Sequence, residues 1–195
     1  MERHQHTDIR NVPELAATIR ANDTVTIREQ ELRGIFELRH IEDVLGNLSF
    51  REASFSKEDG IRISDIRSRG VLQDFGVEAR SINDRLRSPE AIALMSGILE
   101  ERRFAEGAQL HRMPVGSALP AHRHGNDDVF AIFHFGRTYE GGAYFEERNG
   151  ARNYPDIPPY SLFISRGIIV HGVEPVTAGE RMVLVTCWSP SSYKT

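Results

Sequence analysis

The chain has 195 residues, 39% hydrophobic and 27% charged, with 24 basic and 28 acidic residues, a net charge of −4 and a single cysteine. This composition describes one ordinary globular domain and excludes a disordered chain. It leaves no positive excess to neutralise a phosphate backbone, which argues against nucleic acid as a partner. An internal disulfide is impossible with Cys187 alone. No apolar run approaches the roughly 18–20 residues that cross a bilayer, which argues against a membrane partner. The start, MERHQHTDIR, lacks the apolar stretch of a signal peptide, so a reducing cytoplasm is the expected compartment.

In chain order, Asn11-Val12-Pro13-Glu14 reads as a helix start, with Asn11 as cap and proline in the first turn. Thr26 and Glu29 have capping-box spacing. The helix expected after them carries Leu32, Ile35, Phe36, Ile41, Val44 and Leu45 at largely helical spacing and stops at Gly46-Asn47. A second helix is expected from Ser88-Pro89-Glu90, with Ile92, Met95, Ile98 and Leu99 on one face and Gly107 past its end. Between them, residues 48–87 carry no clear period. Ile61 to Ile66 alternates partly like a strand. Arg67-Ser68-Arg69-Gly70 reads either as a solvated loop or as one that reaches a substrate. Arg62, Arg67, Arg69 and Arg80 are candidates there for binding a substrate carboxylate.

After Gly107 the pattern changes. Short apolar stretches at 109–115, 129–135, 143–146, 161–164, 168–173 and 182–188 alternate with Gly and Pro, the signature of an all-β sandwich or barrel. The expected fold is mainly β with N-terminal helices. Residues 12–107 form a helical or mixed supporting layer, residues 108–190 form a jelly-roll core, and 1–195 make one domain.

The histidines cluster in this β region. In Pro120-Ala121-His122-Arg123-His124-Gly125-Asn126-Asp127-Asp128, an extended backbone puts His122 and His124 on one face. Paired neutral imidazoles suit a divalent first-row metal; the alternative is a polar turn with exposed histidines. His171 interrupts an apolar strand, Ile168 to Val176, and reads either as a core histidine or as a ligand. Arg181 opens the strand Met182 to Trp188. A guanidinium in such a place calls for an anion, which it grips with a planar fork. The alternative is an edge salt bridge to Glu180 or Glu174. His134 reads as a surface group or as support for the site, with the surface favoured. His111 points into the barrel, with Arg112 facing away. Arg137 and Tyr139 read as turn residues.

The segment from Gly116 to Pro190 resembles the iron(II)- and 2-oxoglutarate-dependent oxygenases, whose fold is the double-stranded β-helix, a jelly roll. Gly116 to His122 is similar to the approach to their first histidine. Gly136 to Phe145, with Gly141-Gly142, is similar to their hairpin. His171-Gly172-Val173-Glu174-Pro175-Val176, with Gly179, Arg181 and Trp188, is similar to their closing motif. The resemblance implies iron(II) held by His122, His171 and a third ligand. It further implies that 2-oxoglutarate has its far carboxylate on Arg181, helped by a hydroxyl such as Thr186 or Ser161. Dioxygen and a small-molecule substrate complete the set, an amino acid or a biosynthetic intermediate being the leading expectation. Hydroxylation or a related oxidation is the expected reaction.

The chain departs from the family at one place. His124 stands where the HxD motif has its carboxylate. Either His124 is the third ligand, or Asp127 or Asp128 replaces it, or the site is incomplete and the jelly roll is a non-catalytic binding module. Gly116 to His124 is also similar to the start of the cupins, a jelly-roll class in which three histidines support dioxygenases that need no 2-oxoglutarate. Asp128 would then stand in for the cupin glutamate, and Arg181 would have no required part.

Overall fold

The computed structural model describes residues 11–46, 63–64, 77–125, 128–136 and 138–190. The first helix, α1, spans Val12–Asn22. Its start is the expected one, but the Asn11 side chain makes no capping bond; the Asn11 carbonyl accepts from the Glu14 and Leu15 amides instead. Leu15, Ala16 and Ile19 are its buried face.

The helix expected from Thr26 is not continuous. Thr24–Arg28 is a strand, β1. Val25 and Ile27 alternate with threonines, and this period-two, β-branched pattern fits a half-buried sheet edge. The amide captured at the next helix start is that of Arg28, whose N–H donates to the Glu31 carboxylate at 3.0 Å. That helix, α2 (Glu29–Leu32), is a single turn. Gly34 then turns the chain with φ +84°, and α3 (Leu38–Gly46) buries Leu38, Ile41, Val44 and Leu45. The apolar spacing was therefore helical only from Leu38 onward.

Ile63–Ser64 forms β2, inside the stretch whose alternation suggested a strand. Helix α4 (Val77–Leu86) carries no signal strong enough to be read beforehand. Helix α5 (Pro89–Leu99) begins as expected, with Ser88 Oγ accepting from the Ala91 amide at 3.2 Å.

Nine further strands follow: β3 (Phe104–Pro114), β4 (Leu119–His122), β5 (Val129–His134), β6 (Tyr139–Gly141), β7 (Tyr144–Arg148), β8 (Ala151–Asn153), β9 (Ser161–Arg166), β10 (Val170–Val173) and β11 (Val176–Ser189). They make two antiparallel sheets. The larger runs β1-β9-β5-β11-β3-β2, with β6 on the start of β11; the smaller runs β4-β10-β7-β8. The N-terminal half thus supplies both outer strands of the larger sheet, besides the helices.

Strand parity sorts the larger sheet's residues onto two faces. Ala108, Leu110, Ala131, Phe133, Leu162, Ile164, Met182, Leu184 and Trp188 face the helices and join Ile19, Phe36, Leu45 and Met95 in the main core. The opposite face carries Gln109, His111, Ile132, Arg181, Val183 and Val185 toward the smaller sheet, and a cavity of about 160 Å³ lies there.

Strand β10 is held closely between its neighbours at Gly172. A Cβ there would lie 2.5 Å from the Phe145 ring and 2.6 Å from the Leu119 carbonyl oxygen. Gly172→Ala is therefore expected to destabilise the protein by about 1–3 kcal/mol, as overpacking does. It should also weaken metal uptake, because the neighbouring His171 moves with the strand. Thermal melts with and without added divalent metal measure both effects.

Candidate metal centre

Three imidazoles converge at one wall of the cavity. His122 ends β4 and lies directly opposite His171 on β10 in antiparallel register. His124 follows just beyond the end of β4. One ligand nitrogen from each of His122, His124 and His171 lies within 4.8 Å of the other two. The expected third ligand is therefore beside the other two. Asp128, the alternative, is used otherwise: its Oδ2 accepts from the Gly125 amide at 3.0 Å. Asp127 lies outside the described residues.

Two of the rings are oriented by the backbone. His122 Nδ1–H donates to the Pro120 carbonyl and His171 Nδ1–H to the Ile169 carbonyl, each at 2.8 Å. A carbonyl only accepts, so in the neutral form of each ring the proton sits on Nδ1 and Nε2 carries the lone pair. Metal-binding histidines are fixed in the same way. Burial lowers the His171 pKa, against the pull of its carbonyl bond. Burial, then His122 and His171, lower that of His124 to about 4. These two imidazoles are neutral at neutral pH, the form that can bind a metal. The donor set fits a first-row divalent ion such as iron, nickel, copper or zinc.

Arg181 lies in the same cavity, 1% exposed. The edge salt bridge is absent. Glu180 pairs with Arg112 at 2.7 Å, and Glu174 with Arg152 at 2.7 Å and the Tyr154 hydroxyl at 2.9 Å. Arg181 has no carboxylate partner among the described residues. Its Nη1 donates to the Met113 sulfur at 3.5 Å, the Tyr139 hydroxyl lies within hydrogen-bonding reach of the guanidinium, and its Nε has no partner among the described residues. Burial lowers its pKa, while the nearby Tyr139 and Tyr144 hydroxyls act the other way. Gly142 makes room for it: its φ is +59°, and a Cβ there would lie 3.1 Å from Arg181 Cδ. Tyr139, read as a turn residue, in fact stands beside this guanidinium.

His111 lines the cavity as expected, its Nε2 3.3 Å from Gln109 Oε1. Arg112 faces away, onto Glu180. Burial, then Arg181 and His122, push the His111 pKa down to about 3. His134 corrects the reading that favoured the surface. It is 6% exposed, its Nε2 has no hydrogen-bond partner among the described residues, and burial and Arg181 hold it neutral. Its alternation with Phe133 and Phe135 was legible, but which face was outside was not.

Thr186 does not help Arg181. Its hydroxyl accepts from Trp188 Nε1 at 2.7 Å and lies 3.3 Å from the Ala131 carbonyl. Strand parity puts it with Leu184 and Trp188, on the face away from the cavity. Ser161 donates to the Pro158 carbonyl at 2.6 Å. Arg62, Arg67, Arg69 and Arg137 lie outside the described residues, and Arg80 is exposed on α4. Phe130 was missed. Its ring centroid lies 3.9 Å from that of His124. Apolar residues facing a ligand leave no signature in sequence until the strand parity is known.

No known family matches the chain by sequence, and no curated protein does. Solved structures do match in fold. An oxidoreductase of the 2OG-Fe(II) oxygenase family from Burkholderia pseudomallei superposes with a TM-score of 0.74 at 21% identity, covering 92% of this chain and 90% of that one. HygX from Streptomyces hygroscopicus, with nickel, 2-oxoglutarate and hygromycin B bound, gives 0.66 at 11% identity, covering 91% and 87%. A Pseudomonas putida prolyl-4-hydroxylase gives 0.61 at 12% identity, covering 93% and 100%. The chain thus has the jelly-roll fold shared by 2-oxoglutarate-dependent oxygenases, with N-terminal helices packed on its larger sheet.

Two outcomes follow from these environments. In the metal-free protein, His111 and His124 stay neutral down to about 3 and 4 when folded but protonate near the ordinary value of 6.5 when unfolded. The unfolded chain binds more protons in between, so stability is lost as pH falls below that value. Urea midpoints should drop from neutral pH to about pH 5, less steeply in His111→Leu; a flat profile would contradict the neutral assignments. Separately, Thr186→Val should cost about 1–3 kcal/mol by orphaning the buried Trp188 N–H, yet leave the uptake of added divalent metal unchanged, because Thr186 faces away from the histidine cluster. Denaturation and ligand titrations separate the two.

Proposed function

We propose that the protein is an iron(II)- and 2-oxoglutarate-dependent oxygenase of a small molecule, with a three-histidine metal site. The observation that carries this reading is Arg181, a buried guanidinium with no counter-charge among the described residues, in the cavity that also holds His122, His124 and His171. A buried cation is costly without a partner. An anion reaching from the metal into the cavity supplies that partner, and a dicarboxylate keto acid has a carboxylate to spare for it. HygX, with nickel and 2-oxoglutarate bound, supports the same pairing of ligands in this fold.

His122, His124 and His171 would hold the metal, which when bound supplies a redox centre for oxidising both the keto acid and the substrate with dioxygen. The chain's own residues bind, orient and exclude. The Pro120 and Ile169 carbonyls fix two ligand rings. Arg181 takes the far carboxylate, and the neutral His111 and His134 near it add no competing charge. Leu119, Phe130, Ile132, Val173, Val183 and Val185 wall the cavity and keep water from the reacting atoms, which suits oxidation of a carbon–hydrogen bond. HygX, whose structure contains hygromycin B, supports a small-molecule substrate. No helix of the described residues is long and apolar enough to cross a membrane.

A three-histidine dioxygenase of the cupin kind gives Arg181 nothing to do. The two readings separate in an anaerobic titration. Iron(II) followed by 2-oxoglutarate should produce the weak visible charge-transfer band of a chelated keto acid. His124→Ala should weaken the band. Arg181→Met should weaken 2-oxoglutarate binding about 10- to 100-fold, the loss of a hydrogen-bonded charge worth roughly 1.5–3 kcal/mol. Tight iron binding with no band would instead favour an enzyme that does not use 2-oxoglutarate.

A further inference from the structure

The three metal-binding imidazoles are not held alike. The Nδ1–H groups of His122 and His171 are locked to carbonyls at 2.8 Å. His124 has no side-chain hydrogen bond among the described residues. Its backbone is tied down, with the amide donating to the Gly167 carbonyl at 2.9 Å, and Gly167 in turn donates to the Asp128 carbonyl at 2.7 Å. Its ring is held by contacts with other rings instead. Two of these are the imidazoles of the cluster itself, His122 at 4.9 Å and His171 at 5.3 Å between centroids; the nearest, and the one from outside the cluster, is Phe130, with centroids 3.9 Å apart and planes tilted by 40°.

Phe130 is well placed to act as a stop. It sits on β5, in the middle of the larger sheet, paired with Ser165 of β9 on one side and Cys187 of β11 on the other. It therefore carries the rigidity of that sheet across to a residue in a loop. The contact is also matched to a metal-bound imidazole. Coordination draws electron density from the ring and makes it more positive, and the face of a benzene ring attracts positive charge. The aromatic neighbour and the imidazole in place of the family's aspartate thus suit each other.

We propose that Phe130 is the positioning residue for the third metal ligand, fixing the His124 ring by close ring-to-ring contact where His122 and His171 are fixed by hydrogen bonds. This rests on the three-histidine reading above. His124 is then the arm of the site that depends on a side chain rather than on the backbone.

The probe is cobalt(II) alone, titrated anaerobically into the full-length protein and followed by its visible absorption, which reports ligand number and geometry. The variants are Phe130→Leu, Phe130→Tyr, His124→Ala and the double variant Phe130→Leu/His124→Ala. Phe130→Met serves as a second ring-less variant if Phe130→Leu does not melt cooperatively. A ring-less variant should bind cobalt about 10- to 100-fold more weakly, the usual loss when the partner of a ligand is removed. Its spectrum should approach that of His124→Ala. Phe130→Tyr, which keeps the ring, should retain the original affinity and spectrum. The double variant should bind no more weakly than His124→Ala, because the two residues act as one unit.

An unchanged affinity and spectrum in the ring-less variants, with His124→Ala impaired, would overturn the proposal and leave the three-histidine site standing. Losses that add in the double variant would do the same. If His124→Ala itself bound cobalt with the original affinity and spectrum, the three-histidine reading would fail, and the positioning role with it.

Discussion

A guanidinium sealed inside a barrel is the constraint on which the rest of this site depends. Arg181 gains a place on the inner face of β11 by strand parity, and nothing carboxylic meets it there among the described residues. Its charge helps to hold His111 and His134 neutral, so one buried cation keeps two others from forming. Its stem needs the space left by Gly142, which ties the hairpin at 139–144 to the same requirement. The two carboxylates close to it in sequence are each engaged by another arginine. What remains is a cavity with one fixed positive charge at its back and a cluster of three imidazoles on its wall.

The metal wall follows from sheet geometry. Pairing β4 with β10 sets His122 against His171, and each ring then finds a carbonyl two residues before it. A residue two steps past His122 falls on the same side, which brings His124 to the cluster even though β4 has ended. An imidazole here, where the resemblance implies a carboxylate, changes the charge of the donor set. It also matches the surroundings, since Phe130 offers a π face and no hydrogen-bond donor. The N-terminal half contributes at a distance: its helices fill the core on the far side of the larger sheet, and its two strands extend that sheet at both edges.

Legibility followed the length scale of the physics. The helix start at Ser88 was readable because a cap is a contact within one turn, and the strands after Gly107 because alternation and punctuation are local. The stretch after Thr26 misled for the same local reason: capping-box spacing and apolar residues describe a helix start, yet Val25 and Ile27 were claimed by pairing with β9. Thr186 and Ser161 were both plausible hydroxyls for Arg181, but one faces the core and the other meets the Pro158 carbonyl. Phe130 and the burial of His134 needed the facing sheet to be known.

The sequence by itself determined the class of fold and the chemistry of its donors, because period, turn residues and the spacing of His122, His124, His171 and Arg181 are properties of a chain read along its length. Only the tertiary structure decided which of those groups share a cavity, which carboxylates are already engaged, and which rings touch. Those are relations between strands far apart in the chain, and the side chain facing a given strand is set by register across the sheet, a quantity no single segment carries.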